Sequence, residues 1–411
     1  MPSLSDLTSQ CIRCGFCLES CPTFVLTGRE TESPRGRIYL ARTADEGKIA
    51  WEETRHAFDT CLGCRACEPA CPSGVQYGQI LERARHELGA GPGVKRLVDG
   101  LSDPGKFRLQ VGLAKLWPGT KVPGFISRTL TVEPPEARLP RIEQRAAWPA
   151  LDERELPEVK GEVYLLEGCV MRVMYADVHE ALRRLLRRVG FVVRESKAGC
   201  CGALHAHSGL LEEAGRLADQ MVKDMPDDLP VIVDSAGCGS FMKEYGLPGP
   251  TPQPPLLGTN IQGEGERFAA RVFDASEFLH RNGLAERLKT SPGVPATATY
   301  HDACHLAHGQ RITDAPRALV QNVPGLKFVE LSEADMCCGS AGVYNLTQPG
   351  YARRLLDRKW VNVEATGAEI LATGNPGCHS WIQQASDEHG KKVRVVHTLE
   401  LLESSFSGLR N

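Results

Sequence analysis

AGCCGA at residues 198–203 and DMCCGSA at residues 335–341 are two versions of one phrase, an adjacent cysteine pair followed by glycine. Each lies at the centre of a four-cysteine set. One set is Cys169, Cys200, Cys201 and Cys238, and the other is Cys304, Cys337, Cys338 and Cys378. The steps are 31 and 37 residues in the first set and 33 and 40 in the second. Gly237-Cys238 matches Gly377-Cys378, and Arg271-Val272-Phe273 matches Arg394-Val395-Val396. One half-domain written twice is the simplest account.

Strand and helix signals alternate around each set. The first copy reads as strands over residues 163–166, 191–193 and 231–233, with helices over 175–189 and 207–225. The second reads as strands over 299–300, 327–330 and 370–372, with helices over 315–322 and 351–363. Such alternation predicts a parallel α/β sheet in each copy. Every cysteine of the two sets follows a predicted strand end, the rim where open parallel sheets bind ligands. Thiols far apart in sequence can therefore meet. Four thiolates suit a cubane cluster or zinc, and a redox-active dithiol is a further reading. Inert buried thiols are the plain alternative, and the matched duplication argues against it.

The other eight cysteines read CIRCGFCLESCP at residues 11–22 and CLGCRACEPACP at residues 61–72. Both are C-x2-C-x2-C-x3-C-P, the spacing of bacterial two-cluster ferredoxins. Three thiolates within seven residues wrap one corner of a cube, and the fourth reaches the other cube. The expected ligands of one [4Fe-4S] cluster are Cys11, Cys14, Cys17 and Cys71. Those of the other are Cys61, Cys64, Cys67 and Cys21. The insert between the runs holds Arg35 and Arg37, which suit either a cluster edge or partner, or a plain helix surface.

The 16 cysteines are thus all placed, and a reducing compartment is expected. Residues 1–10 are polar, without the apolar core of a secretory signal. No apolar run is long enough to span a bilayer. The balance of 48 Lys+Arg against 51 Asp+Glu argues against a nucleic-acid partner. No G-x-G-x-x-G and no P-loop appears, so NAD, FAD and ATP sites are not expected here. His301, His305 and His308 flank Cys304, His205 and His207 follow the first Cys-Cys-Gly, and His379 follows Cys378. Each suits a ligand or sulfur-bonding role, or a polar rim position. Lys243 and Tyr245 suit a quinone or partner contact, or a surface helix. Residues 106–138 mix apolar and basic side chains between prolines, as an interdomain linker or a membrane-surface segment does. Residues 248–255 read as a proline-rich loop. The expected organisation is a two-[4Fe-4S] ferredoxin-type domain at 1–90, a helical connector at 91–160, and cysteine-rich repeats at 161–285 and 296–405. The fold class is α/β, with an α-rich ferredoxin-like part ahead of a tandem repeat of parallel-sheet half-domains.

The ferredoxin runs, PRGR (34–37), LEGC (166–169), AGCCGA, AGCGSFMKEYG (236–246) and MCCGSAGVYNLT (336–347) together resemble the glycolate oxidase iron-sulfur subunit family. The wider superfamily includes the cysteine-rich subunit of heterodisulfide reductase and the iron-sulfur subunits of lactate utilisation and of anaerobic glycerol-3-phosphate dehydrogenase. The resemblance implies flavin-containing glycolate oxidase partner subunits that oxidise glycolate to glyoxylate. It also implies a quinone or other membrane acceptor, and a cytoplasmic chain peripheral on the inner face of the cell membrane. Heterodisulfide-reductase-type repeats end in CxxC. Phe241 and Trp381 stand at those last positions here, which speaks against non-cubane clusters and disulfide reduction. An iron-sulfur subunit acting on lactate or glycerol 3-phosphate, and a thiol redox enzyme, are the competing readings.

Overall fold

The computed structural model describes residues 3–115, 148–246, 262–390 and 392–407. Residues 116–147, most of the linker segment, and the proline-rich loop at 248–255 lie outside the described residues.

The N-terminal part is helical, with short cysteine loops between its helices. Pro22–Thr27 and Pro34–Asp45 both begin with proline at the first helical position, where its missing N–H costs nothing and its fixed φ suits the helix. Trp51–Asp59 and Tyr77–Leu88 follow. Leu7, Phe58, Ile80 and Ala84 fill the core between them. Pro92–Ser102 and Pro104–Lys115 lead towards the sheets.

Each repeat is a four-stranded parallel sheet. In the first, β1 (Gly161–Leu166), β2 (Phe191–Arg194), β3 (Val231–Val233) and β4 (Val272–Asp274) lie in the order β2-β1-β3-β4. In the second, β5 (Ala296–Tyr300), β6 (Leu326–Phe328), β7 (Ile370–Thr373) and β8 (Arg394–His397) repeat it as β6-β5-β7-β8. Successive β1 side chains alternate between two cores. Val163 and Leu165 enter one, Tyr164 and Leu166 the other, as a strand covered on both faces requires. In each sheet the chain reverses its winding between the first and third strands. That crevice is where such sheets bind ligands, and Cys169, Cys238, Cys304 and Cys378 follow those strands.

Two elements differ from the sequence expectation, and the second has a clear cause. β6 covers Leu326–Phe328 rather than residues 327–330. The single helix expected over 207–225 is two, Ala203–His207 and Leu211–Asp224. The break is at Gly209, with φ +80°, and a Cβ there would lie 2.5 Å from the carbonyl carbon of Arg85. A backbone from the N-terminal part presses into the turn, and only glycine lets it approach.

The repeats meet at equivalent positions. Ala236 N–H bonds Gly374 O at 3.2 Å, and Ser235 meets Asn375 at 3.5 Å. Like meeting like is the mark of an approximate two-fold relation. Leu182, Leu185 and Leu186 share one core with Leu319, Leu399 and Leu402, each contributing about 1.5–3 kcal/mol on burial. Glu403, fully buried, bridges Arg184 at 2.7 Å and Arg188 at 2.8 Å across the same seam.

Gly209→Ala is expected to cost about 1–3 kcal/mol through the positive φ alone, with the clash adding to it. Thermal unfolding should show a Tm several degrees lower. An unchanged Tm would mean the turn does not need the close approach.

Candidate metal centres

The two ferredoxin-type loops share an unusual backbone. Arg13 and Gly15 are left-handed (φ +58° and +89°), and so are Gly63 and Arg65 (φ +66° and +63°). These are the same positions of each run with glycine and arginine exchanged. The conformation thus belongs to the motif and overrides the usual cost for arginine. It turns backbone N–H groups towards sulfur, as Gly63 N–H does towards Cys61 Sγ at 3.4 Å.

All sixteen cysteines are free thiols. Cys11, Cys14, Cys17 and Cys71 line one pocket, with Cys67 at its inner wall. Cys21, Cys61, Cys64 and Cys67 form the neighbouring group. The Cys67 thiol is pushed up by burial and then by the charges of Cys64, Cys61, Glu68 and Cys21. Four soft donors around one point fit an iron–sulfur cube in each place.

Arg37 settles its own question. Its side chain is buried (1% exposed) and donates to Ala57 O at 2.5 Å, Thr23 Oγ1 at 3.1 Å and Thr60 Oγ1 at 3.2 Å. A guanidinium nitrogen lies 3.9 Å from Cys21 Sγ. Burial pushes the Cys61 thiol up, but the Arg37 and Arg85 charges outweigh it and hold the thiol below its ordinary value. Arg37 is a buried counter-charge for thiolates. Arg35 pairs with Glu30 at 2.6 Å and reaches Arg13 O at 3.4 Å, on the first loop.

In the first repeat the sulfurs adjoin in a chain, Cys169 beside Cys200, Cys200 beside Cys201 and Cys201 beside Cys238. His205 adds to Cys200, and its Nε2 lies 3.2 Å from Asp99 Oδ1. A carboxylate behind a histidine behind a ligand is a common way to orient a metal site. Tyr245 is buried, not on a surface helix, and its hydroxyl donates to Cys201 O at 2.6 Å. Lys243 pairs with Glu277 at 3.1 Å.

In the second repeat Cys304 meets Cys337, Cys337 meets Cys338, and Cys338 meets Cys378. His301, Cys338 and Cys378 place their ligand atoms within 4.8 Å of one another, all buried. Asn375 donates to Cys378 Sγ at 3.6 Å. Lys359, on Pro349–Ala365, is 2% exposed and donates to the Glu333 and Ala334 carbonyls. Burial lowers its pKa, while the Cys338 and Cys337 charges oppose that. Its place on an amphipathic helix gives no sequence signal for this role. Asp99 likewise lies in a stretch that reads only as connector. His308 bonds Asp335 O at 3.0 Å, and His379 packs edge-on against Tyr175, so these two are framework residues.

All eight repeat cysteines, together with Cys61, line one cavity of about 780 Å³. The second ferredoxin-type loop is seated at its edge. His305 Nε2 meets Gly63 O at 2.9 Å, Tyr344 donates to Thr60 O at 2.9 Å, and Arg85 donates to His207 O and Cys61 O at 2.6 Å. The Cys64 thiol is raised by burial and next by Cys304, and Cys304 packs against the cluster that holds Cys64, so thiols from two parts of the chain are neighbours. The His207 and His305 rings are 4.9 Å apart, and burial pushes both down to about 3, which keeps them neutral.

Burial raises Glu82 to about 7 and Glu244 to about 7, with Arg65 and its neighbours opposing. Glu82 accepts from His207 Nδ1 at 3.1 Å. A carboxyl whose folded pKa exceeds its unfolded value contributes stability below the unfolded value, and this is lost as pH rises through the folded one. The Glu82 and Glu244 share of the unfolding free energy should therefore fall between about pH 4.5 and 7, against a rise from the neutral His207 and His305 between about pH 3 and 6.5. Glu82→Gln should reduce that fall and leave the share due to Glu244. A denaturation series across this range that is identical in the two proteins would remove Glu82 as a source.

Residues 8–75 match the 4Fe-4S dicluster domain family, and residues 163–243 and 298–383 each match the cysteine-rich domain family. Over 95% of this chain and 92% of the relative, the chain is 35% identical to the "Probable glycolate oxidase iron-sulfur subunit" of Bacillus subtilis (strain 168). It is 31% identical to the glycolate oxidase iron-sulfur subunit of Escherichia coli (strain K12), over 96% and 93%. Lactate utilization protein A of Oceanobacillus iheyensis is 32% identical over 60% of this chain and 98% of its own length. The chain therefore belongs to the glycolate oxidase iron-sulfur subunit family, and it is an iron–sulfur subunit of a glycolate-oxidase-type oxidoreductase.

Proposed function

We propose that the chain passes electrons from flavin-containing subunits, which oxidise glycolate to glyoxylate, towards a membrane quinone. Cys11, Cys14, Cys17 and Cys71 hold one [4Fe-4S] cluster, and Cys61, Cys64, Cys67 and Cys21 the other. Cys169, Cys200, Cys201 and Cys238 hold a third metal centre, and Cys304, Cys337, Cys338 and Cys378 a fourth. An iron–sulfur cluster supplies reversible one-electron storage at a potential tuned by hydrogen bonds and burial. The observation that carries the reading is the packing of Cys304 against the buried cluster that holds Cys64, which joins the ferredoxin-type sites to the shared cavity.

The outer end suits a partner. Cys14 is exposed, and beside it Ile12, Phe16 and Tyr39 are 67%, 69% and 52% exposed. An exposed apolar patch around a ligand loop favours a docked subunit. No helix among the described residues is long and apolar enough to cross a membrane, so a membrane quinone would be reached from the surface. Lactate as the substrate is the second reading, favoured by the likeness to lactate utilization protein A.

The test uses the chain assembled with its partner subunits. With Cys64→Ser, glycolate should still bleach the flavin while quinone reduction falls to background. Undiminished quinone reduction would sink the relay. A complex that takes electrons from lactate but not glycolate would select the second reading. Arg37→Gln should lower the midpoint potential of the cluster assigned to Cys21 and Cys61, because reduction adds negative charge that the guanidinium no longer offsets. A potentiometric titration followed by electron paramagnetic resonance reads this directly, and an unmoved midpoint would separate Arg37 from that cluster.

A further inference from the structure

We propose that His301 is a ligand in the second repeat, making its centre an iron–sulfur centre of mixed thiolate and imidazole coordination. The inference rests on the electron-relay reading above.

His301 follows β5 directly and is fully buried. Neither of its ring nitrogens meets a nitrogen or oxygen partner, the Cys338 thiol lies against the ring, and no other histidine among the described residues has two buried nitrogens in that state. A buried polar atom without a partner costs roughly 1–3 kcal/mol, and a thiol satisfies at most one of the two nitrogens, whereas a metal held with the thiolates accounts for the sulfur-facing ring. The two other histidines of the same stretch are engaged, His305 by Gly63 O and His308 by Asp335 O.

What faces His301 is sulfur. Its ligand atom, Cys338 Sγ and Cys378 Sγ lie within 4.8 Å of one another. Metal bonds of about 2.0–2.3 Å to nitrogen and sulfur span ligand pairs of this order. Cys304 and Cys337 complete the array, and Trp381 adds no thiol. The first repeat shows that the fold does not need the ring. Leu166, three residues before Cys169 as His301 is three before Cys304, occupies the equivalent strand end and packs in the core. Iron is the metal that suits the position. Cys304 adjoins Cys64, so a redox centre here extends the relay, whereas zinc would end it. The imidazole is a neutral fifth donor that adds to the four thiolates without adding charge, whereas a thiolate at this position would make the centre more negative and lower its potential. The duplicated sites thereby differ in their donors.

The experiment uses the assembled complex, purified without oxygen from cells fed either ordinary or 15N-labelled histidine. Pulsed electron paramagnetic resonance of the reduced protein should show a strongly coupled histidine nitrogen that responds to the label. His301→Leu, the first-repeat residue, should lose that coupling while the two ferredoxin-type signals persist. His301→Cys should keep a centre and shift its midpoint to lower potential. A wild-type protein with no such coupling, or a His301→Leu variant that retains it, overturns the assignment. Zinc in place of iron at this site overturns the redox class while the ferredoxin-type signals leave the relay intact. Absence of those signals too would remove the parent reading and this one together.

Discussion

Metal-binding sulfur is negative, and this chain carries most of its sulfur inside. Ten of the sixteen cysteines are buried, and each would bring charge into a region that water does not reach unless something opposes it. Arg37 sits behind Cys21 and Cys61, Arg85 beside Cys61, and Lys359 beside Cys337 and Cys338. Each is held by backbone carbonyls that fix its position. A buried cation without such partners would be costly. Here the cations, the carbonyls that hold them and the thiols they face form one framework. The turns that present the cysteines are built to complete it.

The duplication supplies the second constraint. Two sheets of the same winding bring their strand ends together across an approximate two-fold, and the cavity between them belongs to neither alone. The ferredoxin-type part is wedged against that seam through Gly63, Arg65, Arg85 and Gly209. Electron carriers must lie close to exchange electrons, and this packing brings Cys64 against Cys304.

Much of this was legible in the residues. The cysteine spacing marked both ferredoxin-type loops, and the two Cys-Cys-Gly phrases gave the repeat, the parallel sheets and the placing of thiols at strand ends. These are local signals of period and spacing. The features that escaped depend on what the chain meets after folding. Gly209 breaks a helix because Arg85 backbone lies against it, and nothing in its own neighbourhood announces that. Lys359 sits on an amphipathic helix where a long cation normally faces water, and for Arg37 the sequence leaves a cluster edge and a helix surface equally open. In YHDACHLAH three histidines look equivalent, and only packing decides that His305 and His308 find carbonyls while His301 finds sulfur.

Exposure also falls along the ligand array, from Cys14 in solvent to Cys338 at 0%. Thiol and cluster oxidation follow access as well as chemistry. Among the described cysteines the most open is Cys14, on the loop ringed by Ile12 and Phe16. A partner docked there, as proposed, would cover that loop and shield it from oxidants. When the partner is absent, damage begins at the first loop and reaches the buried end last.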